Sequence, residues 1–296
     1  MAEKRKHTSM SDEMIPAPAT GSNKVVAIKH EGGDSMPEDG KLQESDSPKK
    51  MRLSPCVPVE IEKSAEEIDD YMKETFEERR QFITNDMPTI PEVKETYPYL
   101  FRGKNLLVEF LRIAKVDIDH SIQEYCVKYA SAVLALAQTM PGASTVLQEA
   151  ENAKQENATL RQYWDMVSAI CLLPLLHREN LVEMVHEIGE DEEVDPTGKI
   201  VPMLVSRGNI FSADQFFLIA EETVLQEFEE FTMAFGSLFA SYWVFNMEYP
   251  RTLNNTYMFV QRVMLSLPDG SPLPNSCKLV SQKLTKWAKE HRKNRK

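Results

Sequence analysis

The chain has 296 residues, 42% of them hydrophobic, and a formal net charge of -12. That length allows one large domain or two small ones with a sizeable core, and the acidic balance excludes a molecule coated in phosphate-binding surface. No apolar run reaches bilayer length and the first residues, MAEKRKH, lack the apolar core of a signal peptide, so the reading is nuclear or cytoplasmic, without membrane contact.

Met1 to about Pro58 is rich in Lys, Ser, Pro, Glu, Asp and Gly and contains no aromatic residue. Such a segment buries too little apolar surface to offset its ordering entropy, and it is expected to be disordered. Two basic clusters stand in it, Lys4-Arg5-Lys6 and Lys49-Lys50 with Arg52, the second flanked by Ser47-Pro and Ser54-Pro. They read as a nuclear-import signal whose charge would be offset by phosphorylation at Ser47 or Ser54. Residues 1–60 thus form a leader, 61–290 a helical globular domain with a sub-boundary near 189–199, and 291–296 a basic tail.

Order is expected from Ser64, which forms a capping box with Glu67. Ile68, Met72, Phe76, Phe82 and Ile83 follow at helical spacing up to a break at Met87–Pro91. Shorter helices are expected from Pro91 to Tyr97, Leu106 to Ile113 and Ile118 to Leu136, the last closed by Met140-Pro141-Gly142. From Ser144 the positions Val146, Ala150, Ala153, Asn157, Leu160, Trp164, Val167 and Cys171 alternate steps of four and three. They predict one long helix packed within the domain, with Asn157 at a core-like position. It is interrupted at Pro174 and resumes from Leu175 to Ile188, carrying His177 and His186 as surface or satisfied histidines.

Glu187 to Asp195 lacks the alternating oxygens and glycine of a calcium loop, so it reads as a solvated linker. Ile200–Val205 and Phe216–Ala220 are β-prone and predict a small two-stranded hairpin. Between Thr223 and Leu267 lies the densest set of large apolar side chains. Phe228, Phe231, Phe235, Leu238, Phe239, Tyr242 and Phe245 share one helix face, starting at a Thr223/Gln226 capping box and stopping before Pro250. A second helix takes up Leu253, Tyr257, Val260, Met264 and Leu267 and ends at Pro268-Asp269-Gly270. This aromatic stripe reads as core. A groove between the two helices, rimmed by Asn246, Gln261 and Arg262, is a candidate site. The final helix turns Leu279, Val280, Leu284 and Trp287 inward and carries Lys283, Lys286, Lys289, Arg292, Lys293, Arg295 and Lys296, a candidate nucleic-acid-binding set.

The fold class is therefore mainly α: a multi-helix globular domain with a small two-stranded β-hairpin behind a disordered N-terminal segment. Four cysteines (Cys56, Cys126, Cys171, Cys277) stand far apart without CxxC spacing, so no metal site or disulfide framework is signalled and no cofactor is expected. No GxSxG, P-loop, GxGxxG, HExxH or kinase signature is present, and no catalytic residue is assigned. The expected role is a non-enzymatic nuclear protein-interaction module with an unidentified protein partner. The alternative is nucleic-acid binding through the last helix.

Several short stretches are distinctive: Tyr97-Pro-Tyr-Leu-Phe101, Leu172-Leu-Pro-Leu-Leu176, Pro202-Met-Leu-Val205, and above all Tyr242-Trp-Val-Phe-Asn-Met-Glu-Tyr-Pro250 followed by Phe259-Val-Gln-Arg262. In these the chain resembles the sterile alpha motif domain-containing protein 3-like group, vertebrate proteins numerous in fishes, over about residues 75–287, in the region after their sterile alpha motif. The resemblance implies a helical module and brings no catalytic residue. A basic leader stands where the sterile alpha motif would sit, so oligomerisation through that motif is not carried over.

Overall fold

A helix that is apolar on every face has to be covered on every side. Phe231–Val244 is such a helix, with twelve of its fourteen residues buried, and the fold is arranged around it. The computed structural model describes residues 63–293, with side chains through His291. Among them are ten α-helices and four strands.

The first layer is α1 (Ala65–Glu74), α2 (Phe76–Gln81), α3 (Ile90–Thr96) and α4 (Asn105–Ala114). Capping boxes start α1 at Ser64 with Glu67 and α3 at Thr89 with Glu92. A π-turn at Phe82–Asp86 ends in Met87, whose left-handed backbone (φ 49°) stops the chain before α3. The second layer is the packed pair α5 (Ile118–Ala137) and α7 (Arg161–Leu176), flanked by α6 (Ala143–Glu156). The central helix, α8, lies between α4 and a sheet and also touches α5. Its approach to α4 and α5 is close because position 236 is glycine: a Cβ there would stand 3.2 Å from Leu107 Cδ2 and 3.3 Å from Asp119 Oδ1.

The sheet has four strands in the order β1 (Val185–Ile188), β2 (Met203–Arg207), β3 (Phe216–Ala220) and β4 (Thr223–Phe228). The β1–β2 pair is parallel, with Val185 opposite Leu204, and the remaining pairs are antiparallel, with Val205 opposite Phe217 and Ile219 opposite Val224. Leu204, Phe216, Leu218 and Leu225 join the main core. On the other face Val205, Phe217 and Ile219 form a small second cluster, covered by Ile188, Val194 and Val224. The acidic segment is thus more than a solvated linker, because Val194 within it packs on the sheet.

The two-stranded hairpin expected between residues 200 and 220 is therefore corrected to a four-stranded sheet. Thr223 opens β4 instead of capping a helix, and Phe228 belongs to that strand. Residues 185–188 pair with β2, so the helix does not resume through Ile188. Pro174 lies within the last turn of α7 without ending it, and the chain leaves α7 through Arg178 (φ 61°). The long helix expected from Ser144 breaks at Asn157, whose side-chain oxygen accepts from the Thr159 backbone N–H; it is a cap, not a register-setting core residue.

The chain ends in α9 (Asn254–Phe259), a π-turn at Val260–Met264 and α10 (Asn275–Lys293). Glu179 starts α9: its carboxylate accepts from the backbone N–H of Asn255 and Thr256, both at 2.9 Å, and from the Thr256 hydroxyl at 2.6 Å. Cys277, Val280, Leu284 and Ala288 form the buried face of α10. Leu279, expected to face inward, is 58% exposed, because it lies more than a quarter-turn off that face.

Candidate functional site

The residues that make the sequence distinctive meet inside the protein. The Tyr242 hydroxyl donates to the Pro202 carbonyl at 2.7 Å, tying α8 to the residue before β2. Trp243 Nε1 donates to the Tyr249 hydroxyl at 2.8 Å, and that hydroxyl donates to Gln261 Oε1 at 3.0 Å. The rings of Tyr242, Tyr249 and Tyr257 lie 4.9–5.4 Å apart, centroid to centroid. Burial pushes all three phenols upward, so they stay protonated, and Tyr242 and Tyr249 act as donors. Tyr249→Phe would leave Trp243 Nε1 and Gln261 without their shared partner. The expected cost is about 1–3 kcal/mol, read as a lower urea midpoint with an unchanged far-UV spectrum.

That network also places the three groove candidates. Gln261 is 1% exposed and faces Tyr249 and the Leu267 carbonyl. Arg262 turns the other way, pairing with Asp269 at 3.1 Å and donating to Ser271. Asn246 is exposed just beyond α8, in a left-handed conformation (φ 53°) that Asn tolerates well. Gln261 thus braces the aromatic cluster, Arg262 fastens the turn before α10, and Asn246 serves the exit from α8.

The surface around α10 is different in character. Asn275–Lys296 holds eight of the chain's 34 Lys and Arg residues but one of its 46 Asp and Glu residues. Lys283, Lys286 and Lys289 are exposed and form no ion pair among the described residues. Beside them a cleft of about 460 Å³ opens between α5, the 263–266 turn and α10, lined by Tyr125, Lys128, Tyr129, Met264 and Ser281 among others. A second hollow of about 520 Å³ continues from Ser281 along α10 past Thr285, Lys286 and Lys289. Because both share Ser281, the cleft runs out onto the cationic helix. The sequence reading found the lysines of α10 but missed Lys128 and the tyrosines of α5. Their signal was the spacing Ser121, Tyr125, Lys128/Tyr129, a polar-aromatic stripe at helical steps along α5.

Each aromatic ring in this region already has a partner on at least one side. Tyr125 lies 4.8 Å from Tyr129 and edge-on to Phe259. Lys128 Nζ sits 5.0 Å from the Tyr129 ring centre. Trp287 is stacked on His291 at 3.8 Å.

Other reactive groups are withdrawn. Cys126, Cys171 and Cys277 are buried free thiols. Burial pushes Cys126 up to about 12 and Cys277 up to about 11, which leaves them without thiolate character at neutral pH. Among the described residues no group of three or more His, Cys, Asp and Glu side chains is placed to hold a metal ion, and no helix is long and apolar enough to cross a membrane. The import candidates Lys4, Arg5, Lys6, Lys49, Lys50 and Arg52, the phosphorylation candidates Ser47 and Ser54, and the tail residues Arg295 and Lys296 lie outside the described residues, as do the side chains of Arg292 and Lys293.

Residues 42–102 match the family of the helical domain of sterile alpha motif domain-containing protein 3. The chain is similar to the sterile alpha motif domain-containing protein 3 group. The human protein of that name is 23% identical over 211 residues, covering 71% of this chain and 39% of the relative's own length. The chain thus spans about two fifths of the curated relative it matches. No solved structure matches. The segment shared with the family's helical domain contains α1, α2, α3 and the turn at Pro98–Phe101. It contains none of the residues that line the cleft between α5 and α10.

Proposed function

We propose that this chain is a non-enzymatic protein-interaction module working in the nucleus, carried there by the basic clusters of its leader. One observation carries the reading. The unusual side chains of its signature, Tyr242, Trp243, Tyr249 and Gln261, are used up in holding α8 to its neighbours. What the fold offers outward is a surface, the cleft between α5 and α10 continued along a cationic helix. The similarity to sterile alpha motif domain-containing protein 3, a protein whose name describes modules rather than a reaction, agrees with it. The tagged chain recovered from nuclear extract, half of it treated with nuclease, tests the reading. Specific proteins retained in both halves are the expected result. Absence from the nuclear fraction would overturn the localisation, and loss of every partner with nuclease would overturn the adaptor role.

The second reading is nucleic-acid binding through α10, favoured by the exposed Lys283, Lys286 and Lys289, which form no ion pair among the described residues. Phosphate contacts by lysines give salt-dependent affinity without sequence choice. This reading predicts the nuclease-sensitive outcome of the same experiment.

A further inference from the structure

Resting on the interaction reading, we infer that the strip formed by the α5–α10 cleft and the adjoining lysines of α10 binds an acidic protein segment that inserts one apolar side chain into the cleft. Three observations on that strip converge.

The first is charge. α10 is a cationic strip on a chain whose remaining residues hold 45 of its 46 acidic groups. An anionic ligand is therefore steered to this strip and repelled elsewhere. The lysines involved are not spent within the fold. Lys128, Lys286 and Lys289 make no ion pair among the described residues, and Lys128 Nζ lies over the Tyr129 ring. Glu124, the carboxylate on the cleft wall, lies 3.6 Å from His120, and Glu290 is the other acid beside the strip.

The second is shape. The cleft brings the aliphatic side chains of Val116, Val263, Met264 and Leu265 together with the polar groups of Ser121, Lys128 and Ser281. At about 460 Å³ it has ample room for one large side chain but none for a whole helix. Ser281, Thr285 and Lys289 follow at steps of four, so they form one ridge of α10 leading away from it, with Lys286 alongside. A ligand anchored in the cleft passes these lysines within three helical turns. Lys283, one turn before Lys286, extends the same cationic flank.

The third decides between kinds of polyanion. Single-stranded nucleic acid draws much of its affinity from bases stacked on open aromatic faces. Here Tyr125 is held between Tyr129 and Phe259, Tyr129 carries Lys128, and Trp287 is covered by His291. The aliphatic side chains in the cleft lining, Val116, Val263, Met264 and Leu265, suit Leu, Ile, Met or Phe from a protein. The acidic segment is the better fit.

Random dodecapeptides displayed on phage are panned against the full chain, against K128E/K286E/K289E and against K199E, a charge reversal in the loop before β2 away from the strip, with thermal melts to show that each variant is folded. Wild type and K199E are expected to enrich acidic peptides bearing one large apolar residue. Synthetic copies should lose about tenfold or more in affinity on the triple variant and weaken as salt rises. An equal loss in K199E would reduce the effect to unspecific charge attraction and overturn the proposal. Enrichment of non-acidic peptides would also overturn it while leaving the interaction reading intact. Tighter binding of oligothymidylate than of any peptide, lost in the same triple variant, would replace the acidic segment by nucleic acid and count against both.

Discussion

Replacing Glu109 by Gln is expected to cost the fold about 3–5 kcal/mol, because it strands a buried guanidinium. Arg79 and Glu109 are both 0% exposed. Nε donates to one carboxylate oxygen at 2.8 Å and Nη2 to the other at 2.6 Å, a two-point fit that only Arg supplies. Two further donors are used: Nη1 reaches the Thr75 hydroxyl and Nη2 the Met72 carbonyl, so one side chain joins the end of α1 to α2 and α4. The guanidinium lies 5.6 Å from the Tyr97 ring, and Arg112 approaches Glu109 from the solvent side at 3.4 Å. The amide introduced by E109Q would keep the shape and lose the charge. R79M/E109L removes both charges and fills the volume with aliphatic atoms, and it should fall within about 1–2 kcal/mol of wild type, on either side. Urea midpoints of the two variants decide the matter. A single variant costing under about 1 kcal/mol would mean that water reaches the pair and that it behaves like a surface bridge.

How far the sequence foretold this depends on where each signal was local. The capping box at Ser64, the start near Pro91, and α4 and α5 were legible, because caps, proline and apolar spacing all act within a few residues. The sheet was half legible. β3 was recognised from its run of Phe216–Ala220, but its partner β4 follows across Glu221-Glu222, both left-handed (φ 46° and 58°). Two-residue hairpin turns of this kind favour Asn-Gly, and two glutamates carry no such signal. Their strain is compensated by contacts distant in sequence: the Ile90 backbone N–H donates to Glu221 at 2.6 Å and that of Gly198 to Glu222 at 2.9 Å. Nothing within the hairpin announces either bond. β1 was hidden for a related reason, since Val185–Ile188 gains its identity from pairing with β2. The groove candidates show the same limit. Asn246, Gln261 and Arg262 are unusual residues in a distinctive stretch, but whether such residues face a ligand or each other is a question of tertiary direction. The cationic helix was legible in composition, whereas the cleft beside it required α5 and the 263–266 turn to be brought together.

Acidification should weaken this protein through His177 before most carboxylates titrate. The imidazole is 5% exposed, with Nδ1 2.8 Å from the Ser276 hydroxyl and the Phe259 ring 5.1 Å away, while Nε2 is buried without a hydrogen-bond partner. Burial disfavours the charged form and lowers the group from its ordinary 6.5 to about 4. The sign follows directly. Below 6.5 the unfolded chain takes up a proton that the folded chain refuses, so unfolding is favoured progressively as pH falls from 6.5 towards 4. The stabilising contribution is fully present above 6.5, and its loss over that window amounts to about 3 kcal/mol. H177Q keeps a polar group near Ser276 but cannot be protonated. It is expected to be somewhat less stable than wild type at about pH 7.5 and to close that gap, or reverse it, near pH 4. Urea midpoints measured for both proteins across this range test the assignment. Parallel curves would show that water or a carboxylate accommodates the imidazolium in the folded state, and the acid sensitivity would then have to be sought among the carboxylates whose folded values are depressed, such as Glu67 and Glu92 at their capping boxes.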